Sequence, residues 1–186
     1  MPHILVDKDL PGIRALLAFS PRTAEPMGVL AEALLRTSNG LAPAERELIA
    51  TYVSHLNQCF YCDVSHGEIA RCYLKGDGEL VDEVRKGPDA AAIPEKLKTL
   101  LNIAGKVQKG GKYVTAEDVS AAKEAGATDA DIHDTVLIAA AFCMFNRYVD
   151  GLAANTPADL ASYEKRAAQV AEHGYGNHIY TTPQPV

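Results

Sequence analysis

The sequence predicts an all-α fold, and two observations carry the prediction. Apolar residues along the 186-residue chain mostly recur at helical spacing, whereas the apolar/polar alternation typical of strands is scarce. Glycine, proline and Thr-x-x-Asp capping patterns interrupt the helical periodicity at intervals that suit short helices. Because no linker rich in Ser, Pro or Gly divides the chain, we expect a helical bundle that forms a single domain over residues 1–186.

Helix boundaries are predicted from terminator and capping residues. In chain order the predicted helices cover residues 10–19, 25–36, 44–58, 59–75, 79–85, 95–109, 116–125, 128–153 and 157–173. The pairs that begin at Thr115 and Thr128 match a capping box, in which two side chains satisfy free backbone N–H groups. Thr156 is predicted to cap the last helix, with Pro157 at its first position.

Two segments carry expectations about assembly. The helix over 128–153 is apolar nearly all round, so it forms either the centre of the fold or an oligomer contact. The tail over 174–186 loses helical periodicity, and we expect it to be extended, with a neighbouring subunit as one surface on which it could lie.

Charge and hydropathy exclude several classes of function. The net charge is −6 and no basic cluster occurs, which argues against a nucleic-acid partner or an anionic membrane surface. The N-terminus MPHILVDKDLPG does not resemble a secretory signal, and no apolar run reaches the length of a membrane span. A cytoplasmic location is the default expectation. In that reducing compartment the four cysteines are not expected to form permanent structural disulfides.

The segment that carries chemistry is NQCFYCDVSH, at the start of the fourth predicted helix. Cys59 and Cys62 are three residues apart and His66 follows four residues later, so the three side chains lie on one helix face. The reactive thiolate is favoured by the positive end of a helix and by an adjacent histidine base. The spacing therefore predicts a redox-active dithiol, oxidised by a peroxide, a disulfide or lipoamide and reduced again through a mixed disulfide.

Two other interpretations of these cysteines stay open. The first is a structural zinc site, for which the candidate ligands are Cys59, Cys62, His66 and Cys72. Cys72 lies nearly two turns beyond His66 and points off the shared face, which argues against it. The second is that the two thiols are buried and inert. Cys72 and Cys143 stand in apolar helical surroundings and are predicted to pack in the core.

Glu47 lies twelve residues before Cys59, on the preceding helix, from which its carboxylate could reach the thiols or His66. Taken alone this signal is weak, because a glutamate within the charged run ERE most often lies on a solvated helix face. His55 follows Glu47 by eight residues, could share its face, and is a further candidate.

The run LAPAERELIATYVSHLNQCFYCDVSHGEIA, residues 41–70, resembles the signature of alkyl hydroperoxidase D-like proteins in the carboxymuconolactone decarboxylase superfamily. The family pattern is a glutamate, a CxxC motif twelve residues later, and a histidine four residues after the second cysteine. The residues that match it are Glu47, Cys59, Cys62 and His66.

The likeness extends over most of positions 40 to 155, with the signature region at 40–75 and a second conserved helix at about 128–153. It is most similar to the branch described as uncharacterised peroxidase-related. At one position the chain departs from the best-studied peroxidases of the family, since Tyr61 stands where they carry a second histidine. A tyrosine is far less basic near pH 7, so the CxYC form predicts a branch with another thiol substrate.

The resemblance implies an all-helical protein that assembles as trimers or hexamers, with peroxidase or disulfide-reductase activity and no bound metal or organic cofactor. It implies a small hydroperoxide or disulfide as substrate and an unidentified thiol as reductant, of which the lipoyl type is one class. Two alternatives remain: a redox-sensing or stress-associated oligomer without turnover, and a zinc-stabilised helical module without activity. Superfamily members that decarboxylate lactones do not rely on a CxxC pair, which argues against decarboxylation.

The catalytic residues implied are Cys62, Cys59, His66 and Glu47. The order of attack is not fixed by the sequence: helix-terminus electrostatics favours Cys59, whereas the histidine spacing and the family favour Cys62. We expect Cys62 to attack and Cys59 to resolve the product, with His66 and Glu47 moving the proton.

Overall fold

The computed structural model describes residues 1–37 and 39–175, and over this range it confirms the all-α prediction, with 72% of residues helical and no strand. The α-helices found there are α1 (Ile13–Phe19), α2 (Pro21–Leu35), α3 (Pro43–Leu56), α4 (Phe60–Leu74), α5 (Glu79–Lys86), α6 (Glu95–Lys109), α7 (Ala116–Glu124), α8 (Asp129–Gly151) and α9 (Leu160–His173). Short 3-10 turns precede α6 and α7, at Pro88–Ala90 and Gly111–Tyr113. Among these helices none combines the length and apolar composition that a bilayer span requires.

Helix α8 lies at the centre of the fold, which confirms one of the two expectations for this segment. It packs against α3 and α6, and the largest buried side chains of its inner face, Ile138 and Phe142, are almost inaccessible to solvent. Its N-terminus is held by the predicted capping box, because Thr128 Oγ1 accepts the Asp131 N–H at 3.1 Å. The outer face keeps exposed apolar side chains, Leu137 and Met144, and an oligomer contact there stays a prediction.

The prediction that Thr156 caps the last helix is wrong. Helix α9 begins at Leu160, and the Asp159 carboxylate accepts the Ala161 N–H at 3.2 Å. Pro157 does not stand at the first helical position; its carbonyl accepts a hydrogen bond from the Tyr163 hydroxyl at 3.0 Å. An aspartate is at least as good an N-cap as a threonine, so the later capping residue sets the boundary.

A fully buried arginine fixes how α3 faces the core. Arg46 has no solvent exposure, and its guanidinium donates to the carbonyls of Leu34, Asn39 and Leu41 at 2.6 to 2.9 Å. It also forms an ion pair with Asp134 on α8 at 2.7 Å. These contacts tie α3 to the end of α2 and to α8, so that the neighbouring face of α3, which carries Glu47, also turns inward.

Candidate active site

The turn between α3 and α4 sets the position of the first cysteine. Gln58 adopts a left-handed conformation with φ of 59°, and the Cys59 N–H then reaches back to the Ser54 carbonyl at 3.1 Å. The side chain of Asn57 donates to Asn146 on α8 at 2.8 Å, which holds the turn against the central helix. Cys59 therefore becomes the N-cap of α4, in agreement with the predicted start of this helix near residue 59.

The two cysteines of the motif are buried beside each other as free thiols. Cys59 has no solvent exposure and Cys62 is 3% exposed. The pKa of the Cys59 thiol is raised well above its usual range, first by a hydrogen bond to Cys62 and then by burial, with a smaller contribution from Asp150. Cys59 therefore keeps its proton more firmly than an ordinary thiol.

Cys62 and His66 open into the same small cavity, of about 70 Å³. Its remaining lining is mostly apolar and comes from α1, α2, α4, α8 and the segment after α9: Ile13, Leu17, Met27, Gly28, Ala31, Tyr61, Phe142, Phe145 and Tyr175. Cys62 and His66 therefore share one helix face, as predicted, and both line the small cavity, whereas Cys59 lies behind Cys62.

His66 is held by a fully buried carboxylate. Its Nδ1 lies 2.8 Å from Oε2 of Glu47, which has no solvent exposure. The ring packs edge-on against Phe142 with the centroids 4.5 Å apart, so its orientation is fixed from a second side. The solvated-face interpretation of Glu47 is therefore wrong, because the packing of α3 carries this position inside.

Tyr175 completes the cluster and was missed by the sequence reasoning. Its hydroxyl donates to Glu47 Oε1 at 2.5 Å and lies 3.3 Å from His66 Nδ1. Burial and the charge of Glu47 raise the pKa of this phenol well above its usual value of 10.0, so it stays a hydrogen-bond donor. The residue falls within the tail predicted to be extended, most of which (176–186) lies outside the described residues.

The end of α9 is anchored so that Tyr175 reaches the site. Arg36, the C-cap residue of α2, donates to the Val170 carbonyl at 2.8 Å, and Glu32 accepts the Tyr175 N–H at 2.7 Å. Gly174, with φ of 84°, turns the chain between them, and a Cβ at that position would lie 2.5 Å from Glu32. The left-handed conformation at this position favours glycine, and a larger residue would also push the Glu32 carboxylate away from the Tyr175 N–H.

Tyr61, the residue in the CxYC motif that departs from the family, is a wall of the site. It lines the small cavity and also a second one of about 330 Å³ on its other side. Its ring packs on Tyr163 with the centroids 5.7 Å apart, and Gly12 approaches it so closely that a Cβ there would clash. Burial, with the nearby Cys62, raises the pKa of the phenol to about 12.

This shifted phenol predicts a loss of stability in alkali. A tyrosine that ionises near pH 10 when unfolded and near 12 when folded stabilises the fold fully below pH 10 and loses that contribution as pH rises through 12. Two pKa units correspond to about 3 kcal/mol. We expect the free energy of unfolding, measured by urea denaturation from pH 9 to 12, to fall less steeply in Tyr61→Phe than in the wild type. The control Tyr113→Phe, whose ring is exposed, should keep the wild-type slope. An unchanged slope in Tyr61→Phe would contradict the prediction.

The remaining predicted candidates lie elsewhere. His55 does not share the inner face of Glu47 but pairs with Asp63 at 3.0 Å near the surface. Cys143 is buried as predicted, whereas the prediction of core packing is wrong for Cys72, which is exposed. Within residues 1–37 and 39–175, no group of three His, Cys, Asp or Glu side chains is arranged to hold a metal ion.

Comparison with known proteins points to one superfamily. The model of the carboxymuconolactone decarboxylase family matches residues 21–85, from the start of α2 to the end of α5. A crystal structure titled alkylhydroperoxidase AhpD core, an uncharacterized peroxidase-related protein from Ralstonia eutropha JMP134, is 32% identical over 81% of this chain and 79% of that chain, with a TM-score of 0.74. An uncharacterized peroxidase-related protein from Silicibacter sp. TM1040 is 27% identical over 83% of this chain and 78% of its own, also with a TM-score of 0.74. No curated protein sequence matches the chain.

Proposed function

The chain belongs to the carboxymuconolactone decarboxylase superfamily, with the alkylhydroperoxidase AhpD-like proteins, and from this premise we propose that it is a thiol-dependent oxidoreductase. Its substrate is a small hydroperoxide or disulfide, and its working group is the dithiol of Cys59 and Cys62. One observation supports this proposal above the others: Cys62 and His66 line one apolar cavity, while His66 is bound from behind by the buried Glu47.

His66 acts as the general base. As a carboxylate, Glu47 can only accept hydrogen bonds, so the imidazole keeps its proton on Nδ1. The lone pair of Nε2 is then free to take the proton of Cys62. Tyr175 donates to the other carboxylate oxygen and so satisfies a charge that is shielded from water.

Cys62 is the attacking cysteine and Cys59 the resolving one. The Cys62 thiolate attacks a hydroperoxide ROOH, and the O–O bond breaks. ROH leaves with the proton that His66 took up, and a sulfenic acid remains on Cys62. Cys59 then attacks that sulfur, and a Cys59–Cys62 disulfide and water form. The placement of the thiols supports this order, because Cys62 lines the cavity beside His66, whereas Cys59 has no solvent exposure and does not line it.

Tyr61 does not replace the second histidine of the best-studied relatives as a base. With a pKa near 12 the phenol stays protonated at neutral pH, where it can donate a hydrogen bond but cannot accept a proton from a thiol. The reductant that reopens the disulfide is proposed as a thiol, of which the lipoyl type is one class. Assembly as a homo-oligomer is proposed on the family resemblance, and a cytoplasmic location is proposed as the default expectation for this sequence.

The test is to titrate the thiols of the reduced protein with and without an alkyl hydroperoxide and to read the Cys59–Cys62 peptide by mass. We expect one equivalent of hydroperoxide to remove two mass units from that peptide, and added dithiothreitol to restore it for repeated cycles. A protein that oxidises once and does not cycle under any dithiol would be a sensor. A stoichiometric zinc in the purified protein, with the thiols blocked, would support the inert helical module.

A further inference from the structure

The larger cavity beside Tyr61, of about 330 Å³, lies where α1, α4 and α9 meet. This volume falls at the lower end of the range of small-molecule sites, roughly 300 to 1,000 Å³. Its charged lining consists of Arg14, Arg166 and Asp9. The excess of positive over negative groups contrasts with the net charge of −6 of the whole chain, and it favours an anion inside the cavity.

No acidic side chain of the described residues neutralises either arginine. Within that part of the chain the guanidinium of Arg14 forms no hydrogen bond or ion pair, and the only side-chain hydrogen bond of Arg166 is a long one to Gln169, at 3.5 Å. Both are half-buried, and neither pairs with Asp9. By contrast the buried Arg46 has four partners. Two guanidinium groups in one cavity, neither of them paired with a carboxylate of the described residues, are a set of donors for an oxyanion.

The two guanidinium groups lie close to each other in this cavity. Burial first, and then the charge of Arg14, lower the pKa of Arg166, so the two guanidinium groups are close enough to repel each other. The same two charges act on the phenol of Tyr61, and Ser65, one turn later on α4, also lines the cavity. An anion between the arginines would relieve their repulsion and would lie beside both hydroxyl groups.

We propose that this cavity binds the carboxylate of a small organic acid, and that this acid is the substrate of the dithiol. The lining supplies Pro11, Ile69 and Ala167 as well as the arginines, so it accommodates a hydrocarbon body in addition to the anionic group. The second half of the proposal rests on the proposed function. It follows from the position of Tyr61, whose ring belongs to the walls of both cavities and stands next to Cys62.

For a disulfide substrate that carries carboxylates, the Cys62 thiolate attacks one sulfur, forms a mixed disulfide and expels one substrate thiolate. Cys59 loses its proton and attacks Cys62, which closes the Cys59–Cys62 bond and expels the second thiolate. Two electrons pass from the protein dithiol to the substrate, and each released thiolate takes up a proton.

Binding is tested first, without any turnover, by titration calorimetry of the reduced protein with octanedioate, with inorganic phosphate and with neutral 1,8-octanediol. We expect only octanedioate to bind well, and Arg14→Gln or Arg166→Gln to weaken it at least tenfold each. Lys165→Gln, an exposed neighbour outside the cavity, should bind as the wild type does. A dissociation constant above about 10 mM, or equal binding in the arginine variants, would overturn the site. Phosphate binding as tight as octanedioate would overturn the organic-acid class.

The link to the dithiol is tested by single turnover of pre-reduced protein with 3,3′-dithiodipropionate and with neutral bis(2-hydroxyethyl) disulfide. We expect the wild type to form the Cys59–Cys62 disulfide at least tenfold faster with the anionic compound, and this ratio to fall toward one in the arginine variants. Equal rates in the wild type would overturn the inference and leave the proposed function intact. Reaction with neither disulfide nor an alkyl hydroperoxide would instead refute the proposed function, and the calorimetry would still decide the site.

Discussion

Replacement of Cys62 by serine is expected to abolish hydroperoxide-dependent oxidation of thiols and to leave the fold intact. A serine hydroxyl cannot form the sulfenic acid or the disulfide, and near pH 7 it does not ionise, so neither step of the cycle can proceed. The cost to stability is small, because serine is nearly the size of cysteine and Cys62 lies at the edge of the small cavity. The measurement is steady-state consumption of hydroperoxide with dithiothreitol as reductant, together with a thermal unfolding curve.

Two matched variants make this result specific. Cys72→Ser changes the exposed thiol of the same helix and should turn over at the wild-type rate. Cys59→Ser should still react once at Cys62 and accumulate the sulfenic acid, which a dimedone adduct detected by mass on Cys62 reports. If Cys62→Ser retained turnover while Cys59→Ser lost the first oxidation step, the assigned order of attack would be reversed.

The dithiol and its histidine could be predicted from the sequence because their arrangement is local. Cys62 and His66 are four residues apart on α4, whose N-cap is Cys59, and the helical repeat alone decides that Cys62 and His66 share a face. The predicted range of α6 and the two capping boxes were correct for the same reason, since each depends on residues within one or two turns.

Burial could not be predicted in the same way, because it depends on distant partners. The run ERE on α3 suggests a solvated face, yet Arg46 and Glu47 are inaccessible to solvent. Arg46 donates to backbone carbonyls before α3 and to a carboxylate of α8, and Glu47 binds His66 on α4. The family resemblance, and not the charge pattern, singled out Glu47. Tyr175 had no signal at all, because 109 residues separate it from His66 and no periodicity relates them.

The second large effect is expected from Glu47→Gln, which replaces a buried carboxylate with an amide of nearly the same size. The carboxylate of Glu47 accepts from the Tyr175 hydroxyl at 2.5 Å and from the Nδ1 side of His66 at 2.8 Å. An amide can accept at only one of these positions, because its NH₂ group must face the other. If the amide donates to His66, the imidazole carries its proton on Nε2 and cannot take one from Cys62; if it faces Tyr175, two donors meet in a buried site.

We therefore expect Glu47→Gln to lower the rate of Cys62 oxidation by roughly 100-fold or more, which is the usual worth of a positioned general base. The rate is measured under single turnover from pH 6 to 9, and the loss should be largest near neutral pH, where Cys62 depends most on a base. At high pH hydroxide can deprotonate the thiol, so the variant should approach the wild type. Tyr175→Phe removes only one of the two donors and should lose less.

The charge-matched control is Glu164→Gln, on the exposed side of α9, which should react as the wild type does. A Glu47→Gln protein that unfolds with the wild-type midpoint but keeps the wild-type rate at pH 7 would contradict the role of Glu47 in proton transfer. If the rate fell by the same factor at every pH, the role of Glu47 would instead be to pack α3 against α4. The pH profile therefore separates a carboxylate that holds the tautomer of His66 from one that only fills its place in the core, since only the first role depends on where the proton resides.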